Sequence, residues 1–443
     1  MAEFRPFHGI RYSAAKAKDY AQVTAPPYDV ISSSERDALH ERHPYNIIRL
    51  ILGKSQPGDD ASDNAHTRAA QFFENWRNEG VLVRDQAAGF YLTSVTFVLG
   101  GQNITRFGIN GMVRLEPFEK GIILPHERTF SKVKSERLRL MKACHANLCP
   151  IFGIYSDSSG ISAKLRSIAA DMTPAIKLTD DKGLEHRLWH LTDTAVIEAV
   201  TQSLRDQRIY IADGHHRYET ALNYREWVKA QNMGYTVDHP CNYVMMSLIS
   251  MEDPGLVILP AHRLLREISQ ASVDRMLEDA SRYFDIRTID IQRDFKAAAE
   301  KVNTFLAEHA EGNTIGVYGK NHDTVYMLIL KPGVMNQLFG HEMHAALLDL
   351  DVSVLTHLIM MEILGFDQKR LDDETKIAYR TEIIDSLLDV KEGAADLCFL
   401  LNPTRMDQVK QVAESGLIMP RKSTYFYPKE ISGLVMNALK PAE

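Results

Sequence analysis

RIYIADGHHRYETAL, Arg208–Leu222, is the stretch on which the reading of this 443-residue chain turns. Ile209–Ala212 is a short apolar run of the kind found in a fully buried strand. Asp213-Gly214 breaks the run. From His216 the pattern turns helical, with Tyr218, Ala221, Leu222 and Val228 recurring on one face. A strand, a glycine turn and a helix start therefore fall within a few residues. The first backbone N–H groups of a helix have no internal partner, and the aligned peptide dipoles place about half a positive charge there. Such a junction suits an anion, phosphate above all. Gly214 lets the backbone approach a ligand without a Cβ in the way. Arg217 offers a planar, two-pronged donor, and His215 and His216 can donate whether charged or neutral. The bland alternative is that Asp213 caps the helix and the histidines are ordinary surface groups. A metal is a weaker option, because adjacent histidines on a helix point different ways.

Outward from this stretch, the chain mixes hairpins with helices, which predicts an α+β fold rather than a doubly wound sheet. Ser32 and Glu35 have capping-box spacing, so a helix is expected to Arg42. PYNIIRLILG reads as a strand ended by Gly53. A helix is expected from Asp63 to Gly80, burying Ala69, Phe72, Phe73 and Trp76. FYLTSVTFVL and ITRFGINGMVRL read as a hairpin across GGQN, and residues 131–144 as a basic helix. NTIGVYGK and TVYMLILK form a second hairpin, and residues 342–391 read as helical. A composition shift near Gln270 divides the chain into an expected N-terminal domain, 1–270, and a C-terminal α+β domain, 271–443.

Composition narrows the function. Hydrophobic residues are 45% and charged residues 25%, with a formal net charge of -7. These are values of a folded globular protein. The acidity argues against a surface built for the phosphate backbone, so nucleic acid is not an expected partner. The four cysteines have no CxxC spacing and read as reduced structural thiols. No apolar run approaches the roughly 20 residues of a membrane span. The expectation is a soluble, cytoplasmic protein with no membrane contact. Nothing in the sequence sets its oligomeric state.

Other residues could serve the same site. Glu127 in HERT could act as a general base, or cap the helix that follows. Asp29 in APPYDVI could be an acid, a base or a Mg²⁺ ligand, or only shape an Asx turn. Lys132, Lys134, Arg137, Arg139 and Lys142 form a basic stretch in which Lys134 and Arg137 share a helical face. His262 and Arg263 follow a strand and could reach the same cleft. MPRKSTYFYPK, Met419–Lys429, mixes basic and aromatic residues and could bind a ligand or dock on the core.

Across APPYDVI, PYNIIRL, ILPHERT, ANLCPIFGIY, IADGHHRYETAL, LILPAHRLL, LDVSVL and MPRKSTYFYP, the chain resembles a bacterial family known as domain of unknown function 1015. More remotely, Gly214, His215, His216 and Arg217 resemble the Gly-Cys-His-Arg turn with which sulfiredoxins, in the ParB/sulfiredoxin-like superfamily, hold nucleotide phosphates. His215 stands where the reactive cysteine would be, which removes thiol repair chemistry. A further branch of that superfamily phosphorylates free serine, using a carboxylate to activate the hydroxyl. This resemblance implies a ParB/sulfiredoxin-like core in the N-terminal domain. It also implies phosphoryl transfer from ATP or ADP to a small hydroxyl substrate, free serine first. Asp213, Gly214, His215, His216, Arg217 and Lys132 would hold the phosphates, with Glu127, Asp29 and His216 in catalytic roles. Mg²⁺ would be expected, though no motif locates its ligands. The alternatives are a ParB-like module that binds nucleotide or nucleic acid without turnover, and a hydrolase of phosphate esters or nucleotides.

Overall fold

The computed structural model describes residues 2–231, 234–291 and 294–440. The chain forms two compact units, Met1–Val257 with Pro428–Glu443, and Ile258–Tyr427. The expected division near 270 falls inside the second unit, at the start of the helix Gln270–Ala280. The reason lies in strand pairing: His262–Leu265 pairs with Ile377–Arg380 and with Leu397–Leu401, all in the second unit. The tail after Tyr427 belongs to the first unit, which a linear division could not provide.

The first unit is built on a nine-stranded sheet, counted over the described residues. Its strands are β1 (Phe4–Arg5), β2 (Phe90–Leu99), β3 (Gln102–Arg114), β4 (Ile123–Leu124), β5 (Ile151–Tyr155), β6 (Ile176–Thr179), β7 (Glu185–Leu191), β8 (Ile209–Asp213) and β9 (Tyr243–Ser250). They run in the order β4-β8-β5-β9-β3-β2-β7-β6, with β1 paired to β3. The expected hairpin is β2–β3, in register from Tyr91 opposite Asn110 to Leu99 opposite Gln102. β8 is sandwiched between β4, parallel, and β5, antiparallel, which is why Ile209–Ala212 is apolar throughout. The register with β5 shifts between Ile211 and Asp213, so a bulge at Ala212 precedes the last pair, Asp213 opposite Phe152, just before the turn.

Three helices pack side by side next to the turn: α1 (Ala65–Asn78), α2 (Ser131–Cys144) and α3 (His215–Ala230). α2 packs on both α1 and α3. α1 starts at an Asn64 cap and buries Ala69, Phe73 and Trp76, while Phe72 stays half-buried. The Ser32–Glu35 capping box forms, with Glu35 N–H donating to Ser32 Oγ at 3.2 Å and Ser32 N–H to Glu35 Oε2 at 2.8 Å. PYNIIRLILG is not a strand. Ile48–Ile51 is a short helix with Ile48, Leu50 and Ile51 buried. An apolar run this short fits either state, and surrounding packing decides it.

The second unit carries a six-stranded sheet of β10 (His262–Leu265), β11 (Phe284–Asp290), β12 (Thr314–Gly319), β13 (Thr324–Leu330), β14 (Ile377–Arg380) and β15 (Leu397–Leu401), in the order β11-β13-β12-β15-β10-β14. The second expected hairpin is β12–β13. The stretch 342–391 is not helical throughout: β14 interrupts it, pairing with β10. It also contains a ten-residue π-helical run, Val354–Ile363. The fold is α+β, with mixed sheets and helices in both units. Among the described residues no helix is long and apolar enough to cross a membrane.

Candidate functional site

β8 delivers Asp213 to the sheet edge, and the chain turns at Gly214 into α3. Gly214 has φ of +99°, which L side chains rarely adopt, and a Cβ there would stand 2.9 Å from Arg217 Nε. No side chain caps α3. Asp213 therefore does not do what an Asp at this place usually does. Its carboxylate pairs with Arg217 through Oδ2, and with Lys429 through Oδ1 at 2.6 Å. Uncapped, the first N–H groups of the helix keep their capacity for a ligand.

Lys429 is the residue that ties the site together. Its ammonium also donates to Asp29 Oδ2 at 2.5 Å, so one cation bridges two carboxylates far apart in the sequence. Burial would push the Asp213 carboxyl up, but Lys429 and Arg217 outweigh it and hold the group well below the usual range. Burial would likewise lower Lys429, and the two aspartates raise it instead. Arg217 also donates to the Pro150 carbonyl. Its guanidinium thus braces Asp213 against the loop that leads into β5.

The two histidines take different places. His215 is buried, and burial drives its pKa well down. The His126 N–H donates to His215 Nε2 at 3.2 Å, so the ring is neutral with its proton on Nδ1, 3.7 Å from Glu127 Oε2. His216 accepts from the Phe130 N–H at 3.0 Å through Nε2, and its pKa is lowered by burial. Between them the two histidines hold His126 and Phe130, the residues at either end of the HERT loop, against α3. Glu127 does not cap α2, whose cap position is Phe130 with no side-chain bond.

The structure thus brings Asp29, Glu127, Asp213, Gly214, His215, His216 and Arg217 to one place. Lys132 is exposed on the first turn of α2. Lys134 reaches α3, pairing with Glu219 at 2.5 Å, while Thr129 Oγ1 donates to the same carboxylate at 2.7 Å. Arg137 lies with its guanidinium 4.2 Å over the Tyr28 ring. His262 and Arg263 sit on β10 in the second unit. His262 Nδ1 accepts from the Leu401 N–H, and Arg263 donates to the carbonyls of Arg421 and Lys422. Sequence reasoning missed Lys429. The signal was there: it ends the MPRKSTYFYPK run, for which docking on the core was one expectation.

Beside the turn lies a pocket lined by Tyr28, Arg137, Cys149, Arg217 and Thr220. It shares Ile51, Arg137 and Leu140 with a larger cleft of about 850 Å³ that also has His66, Arg139 and Lys142 in its wall. Among the described residues, no group of three or more His, Cys, Asp or Glu is placed to hold a metal ion.

The family model described as "Protein of unknown function (DUF1015)" matches residues 4–353. The chain belongs to this family. The DUF1015 match contains the whole Arg208–Leu222 stretch and stops short of Lys429. No curated protein matches the sequence. Solved structures similar to this chain include a free serine kinase mutant in complex with ADP, at 12% identity and TM-score 0.34, covering 71% of this chain and 89% of that one. A conserved hypothetical protein from Pyrococcus furiosus matches at 12% identity and TM-score 0.33, over 70% and 90%. SbnI with C-terminal truncation, from Staphylococcus aureus, matches at 11% identity and TM-score 0.35, over 75% and 90%.

Proposed function

We propose that this protein transfers a phosphoryl group from a nucleotide, ATP or ADP, to the hydroxyl of a small substrate, with free serine the first candidate. One observation carries the reading. The uncapped start of α3 at Gly214 lies beside a cation, Lys429, that is shared with two carboxylates. In this reading the N–H groups of His215, His216 and Arg217 receive the phosphate oxygens. Lys429 neutralises charge as it develops, worth most where water is excluded. Asp29, held on the same ammonium as Asp213, accepts the hydroxyl proton. Arg217 positions Asp213 and the turn. His216 and, from the solvent side, Lys132 are secondary phosphate contacts.

A nucleotide-borne Mg²⁺ needs only one or two carboxylates besides phosphate oxygens and water. Glu127, its carboxylate turned toward His215 Nδ1, fits one such contact. When bound, the ion would offset phosphate charge.

The test is incubation with ATP or ADP, Mg²⁺ and L-serine, followed by mass spectrometry for phosphoserine. Product formation that disappears in Asp29→Asn supports the reading. Nucleotide hydrolysis without an ester product would make the protein a hydrolase. No turnover with any nucleotide, together with ADP affinity indifferent to Gly214→Ala, would remove the phosphate site itself.

A further inference from the structure

Lys429 lies in a segment, 428–431, that is neither helix nor strand. The first unit resumes at Pro428, one residue before it. Beyond it the tail is docked by its backbone. Ser432 exchanges two hydrogen bonds with Ala25, at 2.8 and 3.2 Å, Met436 exchanges two with Ile10, and Asn437–Ala438 pairs with Ala146–Asn147. Those contacts hold the tail on the unit, but they begin three residues past Lys429. A long lysine side chain outside regular structure has much freedom to lose, yet this one must bring its ammonium to a single point between Asp29 and Asp213.

Arg106 holds the residues on both sides of it. From β3, its guanidinium donates to the Pro428 carbonyl at 2.5 Å and to Glu430 Oε1 at 2.6 Å. Arg106 is 2% exposed, and burial lowers its pKa, a cost that one ion pair need not offset. Its own footing is tight. The Asp253 carboxylate accepts from the Phe107 N–H at 3.2 Å and from the Gly255 N–H at 2.7 Å. A Cβ at Gly255 would stand 2.5 Å from the Arg106 N and Cα. The guanidinium lies 4.7 Å over the ring of Phe152, the β5 residue opposite Asp213. The space that Arg106, Lys429 and Glu430 enclose with Thr93, Gly108 and His186 is about 10 Å³, a single water at most. This is a packed joint rather than a ligand seat.

We propose that Arg106 is a positioning residue for Lys429, its two-pronged grip on Pro428 and Glu430 setting where the Lys429 ammonium stands. The assignment rests on the phosphoryl-transfer reading, in which that ammonium meets the developing charge. As the ammonium turns to phosphate it gives up part of its hold on Asp29 and Asp213, and the grip on the backbone then keeps its reach. A misplacement of about 1 Å costs on the order of 100-fold in rate.

The test is the double variant Arg106→Met/Glu430→Met in the full chain, which removes the grip and leaves no unpaired charge in its place. Two labelling readouts need no turnover. Acylation of Lys429 by acetic anhydride near pH 8, followed by mass spectrometry, rises when the amine loses the pairing that keeps it protonated. Cys149, with its thiol 2.9 Å from Ser432 Oγ, reports through N-ethylmaleimide whether the tail has come off. Lys429 labelling is expected to rise about tenfold, the size of one lost charged hydrogen bond, with Cys149 as protected as in wild type. The kcat for phosphoserine formation should fall by about tenfold to 100-fold, with the KM for serine within about twofold. Arg106→Lys, a point charge in place of a fork, should fall between. Unchanged Lys429 labelling would overturn the proposal. So would Cys149 opening together with Lys429, which makes Arg106 a docking contact, or faster Lys429 labelling with kcat unchanged. Faster Lys429 labelling alone, in a protein whose wild type makes no phosphoserine, would keep the positioning role and remove the transfer reading, so the two fail separately.

Discussion

Asp213 in the first unit and Asp351 in the second are both aspartates drawn out of water, and their carboxyls go opposite ways. Burial raises each. At Asp213 the charges of Lys429 and Arg217 reverse the effect. At Asp351 the Asn313 amide donates at 2.9 Å, the Asn402 backbone helps and the Arg405 charge adds less, so burial wins and the carboxyl is pushed up to about 6. Neutral donors satisfy a carboxylate without repaying its desolvation, whereas counter-charges do. The second unit uses its buried acid as a structural tie. The first unit keeps an ionised group, held by two cations, at the mouth of an uncapped helix.

Removing the shared cation should break the comparison most severely. Lys429→Met removes the cation that Asp29 and Asp213 share and leaves Arg217 alone to offset Asp213. The expected loss is about 3–5 kcal/mol in urea unfolding, with nucleotide binding lost as well. Next come the two aspartates themselves. Asp213→Asn should cost about 3 kcal/mol at pH 7. The folded pKa of Asp213 lies below its unfolded value. Its contribution is therefore complete above the unfolded pKa and lost as pH falls through the folded one, so the asparagine variant should lack that acid-side decline. Asp351→Asn should go the other way. A raised folded pKa means that stability falls as pH rises from about 4 to about 6. The variant escapes that fall and should gain about 2 kcal/mol over wild type between pH 4 and pH 7, read from paired denaturation curves.

His126 sharpens the same contrast from within the first unit. It is fully buried, and burial lowers its pKa to about 4. Its neutral form is favoured, as at Asp351. The unfolded chain takes up the proton first on acidification. Stability from this group should thus be complete above about pH 6.5 and decline by about 3 kcal/mol toward pH 4. That slope should flatten in His126→Gln. The smallest effect belongs to Gly214→Ala, about 1–2 kcal/mol from a strained φ. A Cβ there also crowds Arg217, so ADP affinity should fall further than stability does.

How much of this is legible in the sequence depends on how local the signal is. The apolar run Ile209–Ala212, the Asp-Gly break and the helical period after it are contiguous, and they mark both the strand–turn–helix and the place of the proposed anion site. Glu127 and Asp29 stand out by residue type beside helix starts. Lys429 does not, because it meets Asp213 across 216 residues of chain, through a tail that returns to the first unit after the second is complete. The role of Arg217 is half legible: a guanidinium at a phosphate turn reads as a phosphate ligand, while its bonds to Asp213 and Pro150 make it a brace. PYNIIRLILG fails for a different reason, since a short apolar run carries no period that separates strand from helix.

The most direct measurement is a crystal structure of the full chain soaked with ADP. The account predicts terminal phosphate oxygens within hydrogen-bond distance of the backbone N–H groups of His215 to Arg217, with Lys429 turned to the same phosphate. Phosphate density on His66, Arg139 and Lys142 in the larger cleft, with the Gly214 turn untouched, would contradict it.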